Sequence, residues 1–129
     1  MKYLLDTSVL VDHLRRKNRI SDSLVGDGVG ISIISYAELF HGAYRSANPE
    51  KNLRLIAGMV REVGLEVVGL DEKVVDRYAK IRVVLEKRGE RLEDFDLLIG
   101  ATAISENLIL VTGNARHFKR ISGLSLVES

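Results

Sequence analysis

Short apolar segments alternate with longer amphipathic ones along the whole chain, and this alternation constrains its fold most. Lys2–Leu5 reads as a strand, followed by a helix over Ser8–Lys17 in which Val9, Leu10 and Leu14 share a face. A short helical piece at Ile20–Val25 and a Gly26-Asp27-Gly28 turn lead into a second strand, Val29–Ile34. Ser35 opens a helix to about Arg45. Asn48-Pro49-Glu50 then supplies a cap, a proline at the first helical position and a dipole-matched acid for the next helix, which ends near Gly64. Leu65–Leu70 is a third strand, and Asp71 caps a long helix that Gly89 stops. A helix over Asp94–Asn107 follows, with a Gly100-Ala101-Thr102-Ala103 stretch small enough for close approach by a neighbour. Leu108–Thr112 and Leu124–Val127 are the last strands, with a basic helical turn, Ala115–Arg120, between them. Strands that alternate with helices predict an α/β domain with a mostly parallel central sheet covered by helices on both faces. No linker, repeat or low-complexity segment interrupts residues 1–129, so a single domain is expected.

Composition excludes several function classes. A hydrophobic content of 46% with 29% charged residues belongs to a globular chain with a core, well away from disorder. With no Cys, disulfides, thiolate metal sites and cysteine nucleophiles are ruled out. A net charge of +1 is too small for a protein that holds duplex DNA by charge alone. The first strand runs straight into Asp6 without a signal-peptide apolar core, and no apolar run could span a bilayer. A cytoplasmic protein with no membrane association is the expectation.

Three acids stand at the starts of helices: Asp6 after Leu4-Leu5, Glu38 in Ser35-Tyr36-Ala37-Glu38, and Asp96 in Asp94-Phe95-Asp96. Each taken singly reads as a capping residue. Asp6 and Asp94 are ordinary N-caps, and Ser35 to Glu38 matches the capping box. Together they point elsewhere, because an α/β sheet gathers the ends of its elements into one crevice, where close carboxylates repel unless a cation joins them. Carboxylate oxygens without Cys or paired His suit Mg²⁺, or Mn²⁺ as a substitute, rather than Zn²⁺. His13, His41 and His117 lack any i,i+4 pairing and read as surface or supporting groups. An ion held by few carboxylates takes its other ligands from water and phosphate, which suits phosphodiester hydrolysis.

Four segments carry a resemblance over essentially the whole chain. Leu4-Leu5-Asp6-Thr7-Ser8-Val9, Ser35-Tyr36-Ala37-Glu38-Leu39, Asp94 to Ala103, and Val111-Thr112-Gly113-Asn114-Ala115-Arg116-His117-Phe118 resemble the successive motifs of PIN-domain proteins, in the right order. Within that family the chain most resembles the VapC-type toxins of bacterial and archaeal toxin–antitoxin pairs. The resemblance implies a three-layer PIN-like fold, a Mg²⁺-dependent endoribonuclease acting on single-stranded or looped RNA, and a small antitoxin that blocks the site. It also implies a homodimer. Carried over motif by motif, it makes Asp6, Glu38 and Asp96 the metal ligands. Asn114 occupies the place where many members have a further acid. An amide gives a carbonyl oxygen or a donor but no charge, so one ion is expected, with Asn114 orienting water or phosphate. Asn114 also reads as a cap for the helix at Ala115, and Asp94 as either a contributor to the site or a cap.

Arg116, Lys119 and Arg120 could hold RNA phosphates, or form a solvated face. With no Trp, three Phe and four Tyr, substrate choice would rest on shape and backbone rather than stacking. Two other classes keep an acidic Mg²⁺ pocket. A phosphoryl-transfer domain would want a paired Asp two residues after Asp6, where Ser8 stands, and a non-catalytic module would tolerate loss of Asp6 or Asp96, both of which are present. The Gly26-Gly28-Gly30 pattern precedes a strand rather than a helix and is not a dinucleotide fingerprint.

Overall fold

The computed structural model describes residues 1–129. Its elements run β1 (Tyr3–Leu5), α1 (Thr7–Leu14), α2 (Asp22–Asp27), β2 (Val29–Ser32), α3 (Ile33–Arg45), α4 (Pro49–Val63), β3 (Glu66–Val68), α5 (Glu72–Arg88), α6 (Asp94–Ser105), β4 (Ile109–Thr112), α7 (Ala115–Phe118) and β5 (Leu126–Glu128). The five strands form one sheet in the order β3-β2-β1-β4-β5, and every pairing is parallel.

The sheet divides two cores. Successive strand residues point to opposite faces, so Leu4 and Leu110 enter one cluster while their neighbours Leu5 and Val111 enter the other. The first cluster packs Val74, Ile81 and Leu85 of α5, Leu97 to Ala103 of α6 and Phe118 of α7. The second takes Val9 and Leu10 of α1, Leu39 and Ala43 of α3, and Ile56 and Met59 of α4. The result is the expected helix–sheet–helix sandwich. No helix is long and apolar enough to cross a membrane.

Most element ends match their sequence signals. Asn48 and Asp71 cap α4 and α5 by accepting from Lys51 N and Val74 N, and Gly64 and Gly89 close those helices in the left-handed region at φ 75° and 68°. The approach allowed by Gly100 is real: a Cβ there would stand 2.7 Å from Ile121 Cδ1.

One boundary differs with consequence for the site. β2 ends at Ser32 and α3 begins at Ile33, so Ser35 lies one turn inside the helix instead of capping it. The β-branched pair Ile33-Ile34 suggests continued strand, but the Ser32 hydroxyl accepts from Ile34 N and starts the helix earlier. Ser35 and Glu38 therefore form no capping box.

The topology positions the site. The chain builds β1, β2 and β3 outward on one side, then crosses to β4 and β5 on the other. The gap between β1 and β4 is a topological switch point, where the carboxyl ends of parallel strands leave a crevice. β1 delivers Asp6 there and β4 delivers Thr112. A short turn joins α6 to β4, so α6 runs back along the sheet and its first turn, with Asp96, sits at the same end.

Candidate active site

Asp6 is buried and held by three donors. Its Oδ1 accepts from Thr7 N at 2.8 Å, and its Oδ2 accepts from the hydroxyls of Ser8 at 2.9 Å and Thr112 at 2.7 Å. It is the N-cap of α1 as well as a member of the cluster, so the two readings of Asp6 coincide. The donors are themselves fixed. Ser8 Oγ accepts from Gly113 N at 3.1 Å, and Thr112 Oγ1 accepts from Asn114 N at 2.9 Å. The β1 and β4 ends are thus tied together through hydroxyls.

Glu38 is reached from the same turn. Thr7 Oγ1 lies 2.6 Å from Glu38 Oε1 and 2.8 Å from the Oγ of buried Ser35. A hydroxyl has one proton to give and an ionised carboxylate can only accept, so Thr7 donates to Glu38 and Ser35 donates to Thr7. The sequence Asp6-Thr7-Ser8 therefore orients two carboxylates at once: Ser8 serves Asp6 and Thr7 serves Glu38.

Asp96 is different. It is half-buried in the first turn of α6, where Glu93 is the N-cap and no side chain caps the helix. Burial pushes its carboxyl up to about 6, and the negative charges of Asp6 and then Glu38 push the same way, against the opposing effect of His117. Asp6, Glu38 and Asp96 therefore share one electrostatic field, as expected from the sequence. They do not form a closed cage, since no three acidic or histidine side chains gather tightly enough to enclose an ion. The donor set still suits a hard cation that keeps several waters and needs only one or two carboxylates. Such an ion would relieve the repulsion that now favours the protonated form of Asp96.

The remaining expectations divide. Asn114 occupies the N-cap position of α7, but its exposed side chain makes no capping bond, and only its backbone joins the network. Asp94 does not cap α6. It accepts from Tyr78 Oη at 2.8 Å and faces Arg82 at 3.4 Å, linking α6 to α5. His117 stands beside Asp96, whereas His13 accepts from Ile20 N in the turn after α1. The acids of the site lie between two clefts. Asp96 lines a polar one of about 480 Å³ between α5, α6 and α7, and Glu38 lines a more apolar one of about 250 Å³ between α1, α3 and α4.

The hydroxyl network has no signature in the sequence. Thr7, Ser8, Ser35 and Thr112 carry no signal of their own beyond adjacency to the acids, and apart from the local Ser8–Asp6 and Thr112–Asn114 bonds their side-chain bonds span 28 to 106 residues.

Comparison with known proteins agrees with this geometry. The family model of the PIN domain matches residues 3–124. Ribonuclease VapC1 of Haemophilus influenzae is 33% identical over 96% of this chain and 95% of its own length. The chain belongs to the VapC family of PIN-domain ribonucleases. The tRNA(fMet)-specific endonuclease VapC of Shigella flexneri, another VapC, is also 33% identical, over 96% of this chain and 95% of that one. Among solved structures, VapBC2 from Rickettsia felis, bound to a DNA fragment from its promoter, contains a chain that superposes with a TM-score of 0.89 at 32% identity. The match covers 100% of this chain and 99% of that one.

Proposed function

We propose that this VapC-family endoribonuclease hydrolyses RNA phosphodiester bonds at the Asp6, Glu38 and Asp96 cluster, with Mg²⁺ or Mn²⁺ as its cofactor, as the toxin of a toxin–antitoxin pair. The observation that carries the reading is the gathering of the three acids at the carboxyl ends of β1 and β4, close enough that Asp6 and Glu38 add to the effect of burial in raising the Asp96 carboxyl. Bound there, a divalent ion would supply a water activated for in-line attack and offset the charge of the phosphate. Asp6 and Asp96 would hold the ion, and Glu38 would complete its shell directly or through water. The residues of the chain supply the preorganisation. Thr112 and Ser8 lock the Asp6 oxygens, and Thr7 aims Glu38. The Asn114 amide orients a water or phosphate at the open side.

The partner reading follows from the Glu38 side. The groove lined by Val11, Leu14, Leu39, Leu55 and Ile56 ends at Glu38, which suits an apolar antitoxin segment whose Arg or Lys reaches into the acids as a cation would. The VapBC2 complex of Rickettsia felis supports such a pairing. We also propose that the chain acts in the cytoplasm, where its RNA substrate is found, and as a homodimer.

The test is direct. Purified protein with Mg²⁺ or Mn²⁺ is expected to cut single-stranded RNA, EDTA to stop it, and Asp6→Asn and Asp96→Asn each to abolish cutting with the fold retained. Expression without a partner should slow growth only when Asp96 is intact. Wild-type cutting rates in both Asn variants would remove these acids from the mechanism.

A further inference from the structure

The cleft beside Asp96 has a charge pattern that the acid cluster does not explain. Arg91 and Arg120 line it together with His117 and Asp96. All four ion pairs in the chain bypass Arg91 and Arg120. Arg120 is partly buried and spends one Nη donor on Arg91 O at 3.1 Å, which leaves the rest of its guanidinium free and fixes the two residues side by side. Arg82, the third guanidinium of the cleft, is already used: it pairs with Glu86 at 3.6 Å and Asp94 at 3.4 Å and donates to Tyr78 Oη at 2.8 Å. Those pairings also neutralise two of the cleft's acids. Glu93, without an ion-pair partner, keeps the Asp96 side negative. One cleft of about 480 Å³ therefore carries both the acidic Asp96 and two guanidinium groups outside the ion pairs, Arg91 and Arg120.

We infer that this cleft is the subsite for the RNA strand beyond the cut, with Arg91 and Arg120 holding the phosphate that flanks the scissile one. Two unpaired guanidinium forks match a phosphate in shape and charge, and a cleft of this size falls in the range that takes a ligand as large as a nucleotide. Contiguity with Asp96 decides the occupant, since a strand bound at the acids has its next phosphate to place and the cleft that Asp96 itself lines carries two guanidinium groups outside the chain's ion pairs. The subsite rests on the nuclease reading for its register, but not for its chemistry.

The experiment measures binding, so it does not depend on cutting. A short labelled single-stranded RNA is titrated in EDTA at several salt concentrations against wild type and Arg91→Gln/Arg120→Gln. Gln keeps an amide donor for the Arg91 carbonyl while removing the charge. A second double variant, Lys51→Gln/Arg61→Gln, removes equal charge from α4 on the opposite face. The cleft variant is expected to bind on the order of tenfold more weakly, with a salt slope shallower by about 0.7 for each phosphate that is no longer neutralised, while the α4 variant behaves as wild type. With Mg²⁺ or Mn²⁺, KM should rise and kcat stay near wild type. Should the double variant misfold, the exposed Arg91→Gln alone carries the comparison. Unchanged affinity and slope, or equal losses in both double variants, would overturn the subsite. So would loss of the antitoxin complex with RNA binding intact, which would make the cleft a protein-docking face. RNA that binds through these arginines but is never cut would sink the nuclease reading and leave the subsite standing.

Discussion

At the residue scale, the division of labour among the three acids is set by how each is solvated. Asp6 is buried yet satisfied by an amide and two hydroxyls, donors that replace the water it has lost. Asp96 has no such donors and bears the repulsion of the other two. Its folded state therefore binds a proton more tightly than the unfolded chain, whose carboxyl titrates near 3.8. Between that value and about 6 the native state holds the extra proton, so without metal stability falls as pH rises through this window. Asp96→Asn removes the titration and is expected to melt above wild type in EDTA at pH 7. Because the group is half-buried, screening reduces the gain to on the order of 1 kcal/mol. By about pH 4 the two proteins should converge. A thermal melt of both at each pH checks the sign, and an Asn variant that melts below wild type at pH 7 would show Asp96 to be a structural residue.

At the element scale, α6 is the part on which the site most depends. Leu97 and the Ile99–Ala103 run are all buried, so this helix has no solvated stripe and is wedged between α5 and the sheet. Its seat is tightest at Gly100, against Ile121 and Phe118 from the segment after β4. Gly100→Ala should cost about 1 kcal/mol despite the better helix propensity of Ala, at the low end of overpacking because the atom met is the terminal methyl of Ile121, which can turn aside. Gly58 in α4 offers the control. A Cβ there meets nothing within 4 Å, so Gly58→Ala should gain about 0.5–1 kcal/mol. Denaturant unfolding of the pair separates packing from propensity. Two losses or two gains would contradict the packing read at Gly100.

At the scale of the whole molecule, the sheet order is what turns scattered acids into a site. The switch point between β1 and β4 sets Asp6 against Thr112, and the return run of α6 adds Asp96 from the same end. An ion that binds only this assembled state stabilises all of it. At a hundredfold excess over its dissociation constant, Mg²⁺ or Mn²⁺ should add about 2.7 kcal/mol to wild type. Asp96→Asn should gain far less, so metal is expected to reverse the order of melting seen in EDTA. Identical metal responses in the two proteins would place the ion elsewhere.

Periodicity and punctuation within the sequence were enough to determine the alternation of strands and helices, the caps at Asn48 and Asp71, the stops at Gly64 and Gly89 and the close approach at Gly100. The caps and stops depend on neighbours a few residues away, while the small residues around Gly100 marked the approach without naming its partner, Ile121. The acids Asp6, Glu38 and Asp96 were legible as well, because four motifs in order carry the family resemblance even where each alone reads as a cap. Only the tertiary structure decided which hydroxyl serves which carboxylate, that Ser35 sits inside α3 and not at its start, and that Asp94 binds Tyr78 and Arg82 on α5 instead of capping its own helix. It alone set Arg91 beside Arg120 in the cleft that Asp96 lines. Apart from the Ser35 boundary, which a local bond at Ser32 moved, each of these joins elements far apart in the chain. It exists only after the sheet has chosen its strand order, and no local pattern encodes that choice.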